Sequence, residues 1–86
     1  MFYLYVVECS DGTLYTGIAR DIETRLQEHN RGSGAKYTRS RLPVRLLARR
    51  PFPTRSAALR AEAALKRLPR AEKLRACEDF KNFCFI

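Results

Sequence analysis

The sequence predicts an α+β fold in which helices flank a small three-stranded antiparallel sheet, with the element order β-β-α-β-α-α. Two stretches rich in aromatic and β-branched residues stand on either side of an Asp-Gly turn, which is typical of a β-hairpin. Helical patterns separated by one further apolar stretch follow, so helices can cover the sheet. A chain of 86 residues, 45% of them hydrophobic, supports one domain with its own core. We place that domain at residues 1–78, followed by an apolar tail at residues 79–86.

The hairpin is the first element along the chain. Residues 2–9 are apolar on both faces up to Glu8, as expected for a central strand that is covered on both sides. Residues 10–13 form the turn, and residues 14–19 form the returning strand. Glycine is unfavourable inside a strand, so we expect Gly17 to mark a close approach of the backbone or of a ligand.

The first helix follows the hairpin directly. Asp21 is its predicted N-cap, and its inner stripe of residues ends at His29. Helix-ending residues are found at 30–32, and the Gly-Ser-Gly sequence at 32–34 predicts a flexible link.

The second half of the chain predicts one strand and two helices. Residues 44–48 form the strand, which a Pro-Phe-Pro sequence ends. Either Thr54 or Ser56 caps a helix that runs to about Leu68. A proline then stops this helix and suits the first turn of a last helix at residues 70–77.

Positive charge is concentrated in one part of the sequence. The chain has 17 Lys and Arg against 9 Asp and Glu, a net charge of +8 with neutral histidine. Residues 1–19 contain no Lys or Arg, whereas residues 29–61 contain no acid. Such a basic block repels itself unless an anion lies against it, and the usual anion is a phosphate backbone. A GC-rich genome also favours arginine, but codon bias does not account for the missing acids.

Several classes of protein are disfavoured. No apolar run approaches the roughly 18 residues of a membrane span, and the start lacks the features of a signal peptide. Cys9, Cys77 and Cys84 are odd in number and irregularly spaced, so we expect small buried hydrophobes rather than disulfides or a zinc site. These observations predict a cytoplasmic protein that does not associate with membranes.

A small group of polar residues stands among apolar positions: Tyr5, Tyr15, Arg25, His29 and Glu62. Arg25 and His29 are four residues apart, so they are neighbours on one helical face. Glu62 lies beside the inner stripe of the second helix, where an apolar residue is usual. The alternative for Glu62 is an exposed ion pair with Lys66 one turn later, and the spacing alone does not decide between the two.

In this order and with these spacings, the residues resemble the GIY-YIG nuclease domain. The resemblance rests on Tyr3-Leu4-Tyr5, Tyr15-Thr16-Gly17, Arg25 with His29 four residues on, and Glu62. Residues 34–39 and 42–44 are also similar to a stretch typical of small bacterial proteins made of that domain alone. The resemblance covers about residues 2–75. Tyr3-Leu4-Tyr5 stands where the family has Gly-Ile-Tyr, and Thr16 replaces the isoleucine of the Tyr-Ile-Gly motif. These changes keep Tyr5, Tyr15 and Gly17, so no functional group is lost.

The resemblance implies an endonuclease that hydrolyses phosphodiester bonds in DNA, in repair, recombination or the processing of structured DNA. Glu62 would hold one divalent ion, Mg²⁺ or Mn²⁺, and Arg25 would stabilise the charge on the phosphate. Tyr5 or Tyr15 would orient or deprotonate the attacking water with the help of His29. Which tyrosine has which role stays open at this point.

Other residues are expected to contact the nucleic acid: Gly17, Arg31, Lys36, Tyr37, Arg39, Arg41 and Lys66. RNA is an alternative target, and a protein partner is compatible with a domain that has little surface for choosing its substrate. Two other hypotheses stay open. One is a nucleic-acid-binding module of the same fold that does not cut, or that cuts only with a partner. The other is an interaction protein that assembles through its apolar tail.

The shared site sets a condition on the hairpin turn. A two-residue turn at Asp11-Gly12 would pair Tyr5 with Ile18 and leave Tyr5 and Tyr15 on opposite faces of the sheet. We therefore predict an odd-length loop or a β-bulge at residues 10–13.

Overall fold

Three antiparallel strands form the centre of the molecule: β1 (Phe2–Glu8), β2 (Leu14–Ala19) and β3 (Arg45–Phe52). The coordinates are a computed structural model that describes the backbone of residues 1–84 and the side chains of residues 1–78. The strand order is β2-β1-β3, so β1 is the central strand, as predicted. Its residues from Leu4 to Val7 are all buried because both faces of the sheet are covered.

Four helices surround the sheet: α1 (Ile22–Asn30), α2 (Lys36–Arg39), α3 (Arg55–Lys66) and α4 (Arg70–Cys84). The predicted fold class and element order are confirmed, with the single turn α2 as an additional element. The last helix is longer than the predicted 70–77, because it continues into the first six residues of the predicted tail. How the side chains of the tail at 79–86 are arranged lies outside the described residues.

The hairpin loop has three residues, 10–12. The Cys9 N–H donates to the Thr13 carbonyl at 2.8 Å, and Gly12 has a φ of +84° that a side chain would disfavour. In the resulting register Tyr5 pairs with Gly17 and Val7 pairs with Tyr15. The predicted odd-length loop is therefore confirmed, and Tyr5 and Tyr15 lie on the same face.

The third strand is longer than predicted. It starts at Arg45 and continues through Pro51 to Phe52, so the expectation that the prolines end it at residue 51 is wrong. An edge strand tolerates proline because the missing N–H can face away from its neighbour. The pairing with β1 shifts between Val6 and Val7, where Leu47 is the additional residue on β3.

Two apolar clusters lie on opposite faces of the sheet. On one face, Leu4, Val6 and Ala48 pack against Leu65 of α3 and Cys77 of α4. On the other face, Tyr5, Val7 and Cys9 pack against Ile22 and Leu26 of α1 and against Val44. Helix α1 therefore covers one face, and the helices α3 and α4 cover the other.

Both ends of α1 are specified by the sequence. The Asp21 carboxylate accepts a hydrogen bond from the Thr24 N–H at 3.1 Å, as predicted for the N-cap. At the other end Gly32 has a φ of +83°, and the Ser33 N–H donates to the Glu28 carbonyl at 3.0 Å, which forms a Schellman motif. A Cβ on Gly34 would lie 2.6 Å from His29 Nδ1. The prediction of a flexible link at residues 32–34 is therefore wrong, because Gly34 packs tightly on His29.

The predictions for the cysteines and for membrane spans can be compared with the structure. Cys9 and Cys77 are buried free thiols, as predicted, whereas the side chain of Cys84 lies outside the described residues. Among the helices that the structure describes, none combines the length and the apolar character needed to cross a bilayer.

Candidate active site

Tyr5 and His29 form the centre of the candidate site. Tyr5 on β1 is 2% exposed and His29 in the last turn of α1 is fully buried. The Tyr5 hydroxyl oxygen lies 2.9 Å from His29 Nε2. A Cβ on Gly17 would lie 2.5 Å from the same hydroxyl oxygen. The close approach predicted at Gly17 is confirmed, but the Tyr5 phenol approaches it rather than backbone or a ligand.

Thr38, on the single turn α2, fixes the tautomer of His29. Its hydroxyl oxygen lies 2.8 Å from His29 Nδ1 and 3.1 Å from the Ala35 carbonyl oxygen. Since a carbonyl only accepts, the Thr38 hydroxyl donates to Ala35 and accepts from the Nδ1–H of His29. In the neutral ring His29 Nε2 then carries a lone pair, so the Tyr5 hydroxyl donates to it.

Burial keeps both members of this pair neutral. It lowers the pKa of His29 below the usual 6.5, and the nearby charge of Arg25 lowers it further. Burial also raises the pKa of Tyr5, although the hydrogen bond from Arg25 opposes this shift. At neutral pH the site therefore contains a neutral imidazole that accepts a hydrogen bond from a neutral phenol.

Arg25 completes the hydrogen bonding of the Tyr5 hydroxyl. Its Nε donates to the Tyr5 oxygen at 3.3 Å, and its terminal Nη1 lies 3.4 Å from the Glu28 carboxylate. Arg25 and His29, one turn apart, contact the same hydroxyl, which confirms that they share a helical face. The Arg25 side chain is 30% exposed, so its guanidinium can also meet an anion from solution.

Tyr15 is the outward-facing tyrosine of the site. Its ring centroid lies 6.5 Å from that of Tyr5 and 5.3 Å from that of His29. Within the part of the chain that the structure describes, no group hydrogen-bonds the Tyr15 hydroxyl. The residue instead lines a cavity of about 300 Å³. The other residues around that cavity are Leu14, Thr16, Tyr37, Lys66 and Lys73.

Glu62 approaches the site from the other side of the sheet. Its side chain is only 19% exposed, and its carboxylate lies 3.5 Å from Lys66 Nζ. Its charge is close enough to the Tyr5 phenol to raise the pKa of that group. Tyr15 and Thr16 are consecutive strand residues that point to opposite faces, and both line the same cavity. The cavity therefore wraps around the free edge of β2, and Glu62 forms the alternative ion pair with Lys66, which lines that cavity.

The donor set fits a hard divalent ion that keeps most of its water. Among residues 1–78 no three His, Cys, Asp or Glu side chains lie together as a metal cage. Mg²⁺ is commonly held by one or two carboxylates, with the remaining positions filled by water and substrate phosphate. Glu62 is suited to be that carboxylate, whereas a zinc site would need more protein ligands.

The fold neutralises part of the basic block. Ion pairs join Arg41 to Asp11, Arg45 to Glu8 and Arg49 to Glu23, at 3.1, 2.6 and 3.2 Å. These three arginines therefore need no external anion, contrary to the prediction, because acids of the first 28 residues fold against them.

The residues predicted to contact nucleic acid separate into three groups. Tyr37 stacks on Tyr15, and Lys66 pairs with Glu62, so both border the candidate site. Lys36 and Arg39 line a second cavity of about 260 Å³ with residues 32–35, and nearby Arg31 hydrogen-bonds the Gln27 side chain. The remaining two, Gly17 and Arg41, make internal contacts: Gly17 lies under Tyr5, and the Arg41 guanidinium lies 4.1 Å from the centre of the Tyr37 ring.

Sequence reasoning missed two residues of the site. Thr38 fixes the His29 tautomer, and Gly34 leaves room for the imidazole. Both lie in the segment 34–39, whose similarity to the small bacterial proteins was the available indication. Helical or strand periodicity could not reveal them, since α2 is a single turn.

Comparisons with known proteins identify the family of the chain. The family model described as the GIY-YIG catalytic domain matches residues 1–75. The chain is 54% identical over 80 residues to UPF0213 protein SAG0778 of Streptococcus agalactiae, which covers 93% of this chain and 91% of that protein. It is 55% identical over 73 residues to UPF0213 protein XAC3202 of Xanthomonas axonopodis, covering 85% and 72%.

Solved structures show the same fold. Protein EF2693 of E. faecalis, solved by NMR, matches with a TM-score of 0.64 and 46% identity, covering 92% of this chain and 84% of that one. UPF0213 protein BH0048 of Bacillus halodurans matches with a TM-score of 0.58 and 43% identity, covering 91% and 84%. The chain belongs to the GIY-YIG family, a family of nuclease domains, and is similar to its small bacterial UPF0213 members.

Proposed function

We propose that the protein is a metal-dependent endonuclease that hydrolyses phosphodiester bonds in DNA. The observation that carries this proposal is the hydrogen-bonded chain from Thr38 through His29 and Tyr5 to Arg25, beside the Glu62 carboxylate. A purely structural cluster would not need a neutral imidazole, a phenol hydrogen-bonded to it, a partly exposed guanidinium and a nearby carboxylate together.

Tyr5 is the proposed acceptor of the proton from the attacking water. As the water's oxygen forms its bond to phosphorus, one water proton passes to the Tyr5 oxygen and the phenol proton passes to His29 Nε2. The bond from phosphorus to the leaving sugar oxygen breaks, and that oxygen takes up a proton from solvent. No free phenolate has to accumulate, which suits a tyrosine whose pKa is raised by burial. Thr38 acts as a positioning residue, because it holds the imidazole with its lone pair towards Tyr5.

Arg25 and Glu62 are assigned the charged roles. The Arg25 guanidinium stabilises the negative charge that grows on the phosphoryl oxygens, and Tyr15 orients the phosphate from the cavity wall. Glu62 would hold Mg²⁺ or Mn²⁺, which when bound supplies further positive charge against those oxygens. We infer structured DNA of repair or recombination as the substrate, with a protein partner as a source of specificity.

A cleavage assay with matched variants tests the proposal. Labelled flapped, branched and plain duplex DNA is incubated with Mg²⁺ or Mn²⁺, and cleavage rates are compared. We expect Glu62→Gln and Arg25→Ala each to lower the rate by about 100-fold or more, since both remove transition-state charge stabilisation. Tyr5→Phe keeps the ring over Gly17 but removes the proton acceptor, and we expect a loss of about 100-fold or more from it as well.

Glu72→Gln is the control, because Glu72 is an exposed carboxylate in the first turn of α4. It should cleave at the wild-type rate. Binding measured in EDTA should be unchanged within about threefold in Glu62→Gln. Wild-type protein that binds every substrate and cleaves none would instead support a non-cleaving module of the same fold.

A further inference from the structure

The cavity at Tyr15 continues into a second cavity along the start of α4. The second cavity has a volume of about 250 Å³ and is lined by Thr13, Leu14, Tyr37, Arg70 and Lys73. It shares Leu14, Tyr37 and Lys73 with the cavity at the candidate site. We call the continuous depression formed by both the α4 cleft.

The α4 cleft carries positive charge from two helices. Lys66 of α3 and both Arg70 and Lys73 of α4 line it. Lys66 is paired with Glu62, and Arg70 shares the Glu8 carboxylate, 3.6 Å away, with Arg45. Lys73 is partly buried, yet no acid pairs with it among the residues whose side chains the structure describes. A partly buried ammonium without a counter-charge at the wall of a cavity is suited to receive an anion.

Contacts inside the protein hold the walls of the cleft in place. Tyr37 stacks on Tyr15 with the ring planes 25° apart, and the Arg41 guanidinium lies over it. Arg70 hydrogen-bonds the Gly12 carbonyl and so ties α4 to the hairpin loop. Leu14 contributes an apolar surface between these walls. The cleft therefore offers an aromatic edge and an apolar floor beside three cations.

We propose that the α4 cleft binds an unpaired strand of DNA, with a phosphate on Lys73 and the neighbouring nucleotide against Leu14 and Tyr37. The inference rests on the proposed function, for which it names the substrate class. Cavities of about 250 and 300 Å³ are at the small end for ligand sites, which suits a single nucleotide. Single-strand sites combine a positively charged groove with aromatic side chains. In the α4 cleft Tyr37 contributes the edge of its ring, because Tyr15 and Arg41 lie against its faces.

Binding in EDTA tests the cleft independently of cleavage. The dissociation constants of fluorescent (dT)8 and of a blunt duplex are measured by anisotropy between 50 and 200 mM KCl. We expect Lys73→Ala to weaken (dT)8 binding roughly 5- to 10-fold, to reduce its logarithmic salt slope by about 0.7, and to change duplex binding less than about twofold.

Arg75→Ala is the matched control, since it removes one exposed charge from the same helix away from the cleft. Equal effects of Lys73→Ala and Arg75→Ala on (dT)8 would overturn the proposal. Thermal unfolding of both variants shows whether either one is misfolded.

An NMR titration of the wild type gives an answer that needs no variant. Addition of (dT)8 should shift the amide signals of Leu14, Tyr37 and Lys73. Shifts at residues 31–36 and 39 without shifts at Leu14 and Lys73 would contradict the proposal.

The two proposals can fail separately. If the wild type cleaves no DNA and Lys73→Ala weakens (dT)8 binding, the nuclease proposal is contradicted and the single-strand site is supported. Cleavage that depends on Glu62, together with unchanged (dT)8 binding by Lys73→Ala, would support the nuclease and contradict the single-strand site. Binding of inorganic phosphate as tight as that of (dT)8 would also contradict a strand site, because no nucleotide would then contribute.

Discussion

At the scale of single residues, two glycines leave the space that the rings of Tyr5 and His29 occupy. Gly17 lies under the Tyr5 phenol, and Gly34 lies against the His29 imidazole, where a Cβ would approach the ring and the Cα within 2.8 Å. Neither glycine has a positive φ, so both are required by space rather than by backbone conformation. The orientation of the Tyr5–His29 pair thus depends on two positions that contribute no chemistry themselves.

Gly17→Ala tests this dependence. The new methyl group would lie 2.5 Å from the Tyr5 oxygen and 2.6 Å from Cζ, so the whole ring has to move. We expect the free energy of unfolding to fall by roughly 1–3 kcal/mol, the usual range for overpacking. Urea unfolding measures this loss, and the ¹⁵N shifts of the His29 ring report the loss of the Tyr5 hydrogen bond. Gly12→Ala is the control: it strains the loop but should leave the imidazole shifts unchanged.

The lowered pKa of His29 predicts how the stability of the fold depends on pH. Its pKa is lower in the folded protein than the 6.5 of the unfolded chain, because burial disfavours the charged ring. The unfolded state therefore binds more protons between these two values. The stability from neutral His29 is complete above pH 6.5 and is lost as the pH falls through the folded pKa. In urea titrations from pH 7 to pH 5, His29→Gln should show a smaller loss of stability than wild type. Equal losses would contradict this account.

At the scale of elements, the sequence was most informative where one local rule decided the outcome. The odd-length hairpin loop followed from the need to bring Tyr5 and Tyr15 to one face, and its glycine allowed the three-residue form. The extent of β3 was missed because a proline that would break a central strand is harmless at an edge, and edge position is a tertiary property.

The site was predictable in its residues but not in its connections. Spacing placed Arg25 beside His29 because a helix has a fixed period. It could not show that Thr38 fixes the imidazole, since this contact joins α1 to a single turn without a recognisable pattern. Spacing also did not decide whether Glu62 belongs to the site or to an ion pair with Lys66. The fold explains why, because the same carboxylate pairs with Lys66 and its charge acts on the Tyr5 phenol.

The N-cap of α3 gives a prediction at this scale. The Thr54 hydroxyl accepts from the Ala57 N–H at 3.1 Å, whereas the Ser56 hydroxyl accepts from the exposed Arg60 side chain. Thr54→Ala should therefore lower the free energy of unfolding by about 1 kcal/mol. Ser56→Ala should change it by less than about 0.5 kcal/mol. Chemical unfolding of the two variants compares them directly, and a larger effect at Ser56 would move the cap to that residue.

At the scale of the whole molecule, the net charge of +8 is divided into balanced and unbalanced parts. Arg45 and Arg49 lie against Glu8 and Glu23, so their fields are partly cancelled at the surface. Lys36 and Arg39 line the cavity near residues 32–35 without an ion pair to any side chain that the structure describes. Long-range attraction of a duplex should therefore depend on where a charge is removed, and not only on how many are removed.

Two double variants separate these possibilities. Lys36→Ala with Arg39→Ala and Arg45→Ala with Arg49→Ala each remove two positive charges, so both lower the formal net charge from +8 to +6. In anisotropy titrations of duplex DNA at several KCl concentrations, the first variant should reduce the logarithmic salt slope by about 1.8, since each lost phosphate contact contributes about 0.9. The second should reduce it much less, because its arginines already have carboxylate partners. If both variants lowered the slope equally, net charge alone would govern binding, and the surface at residues 31–39 would have no special part in it.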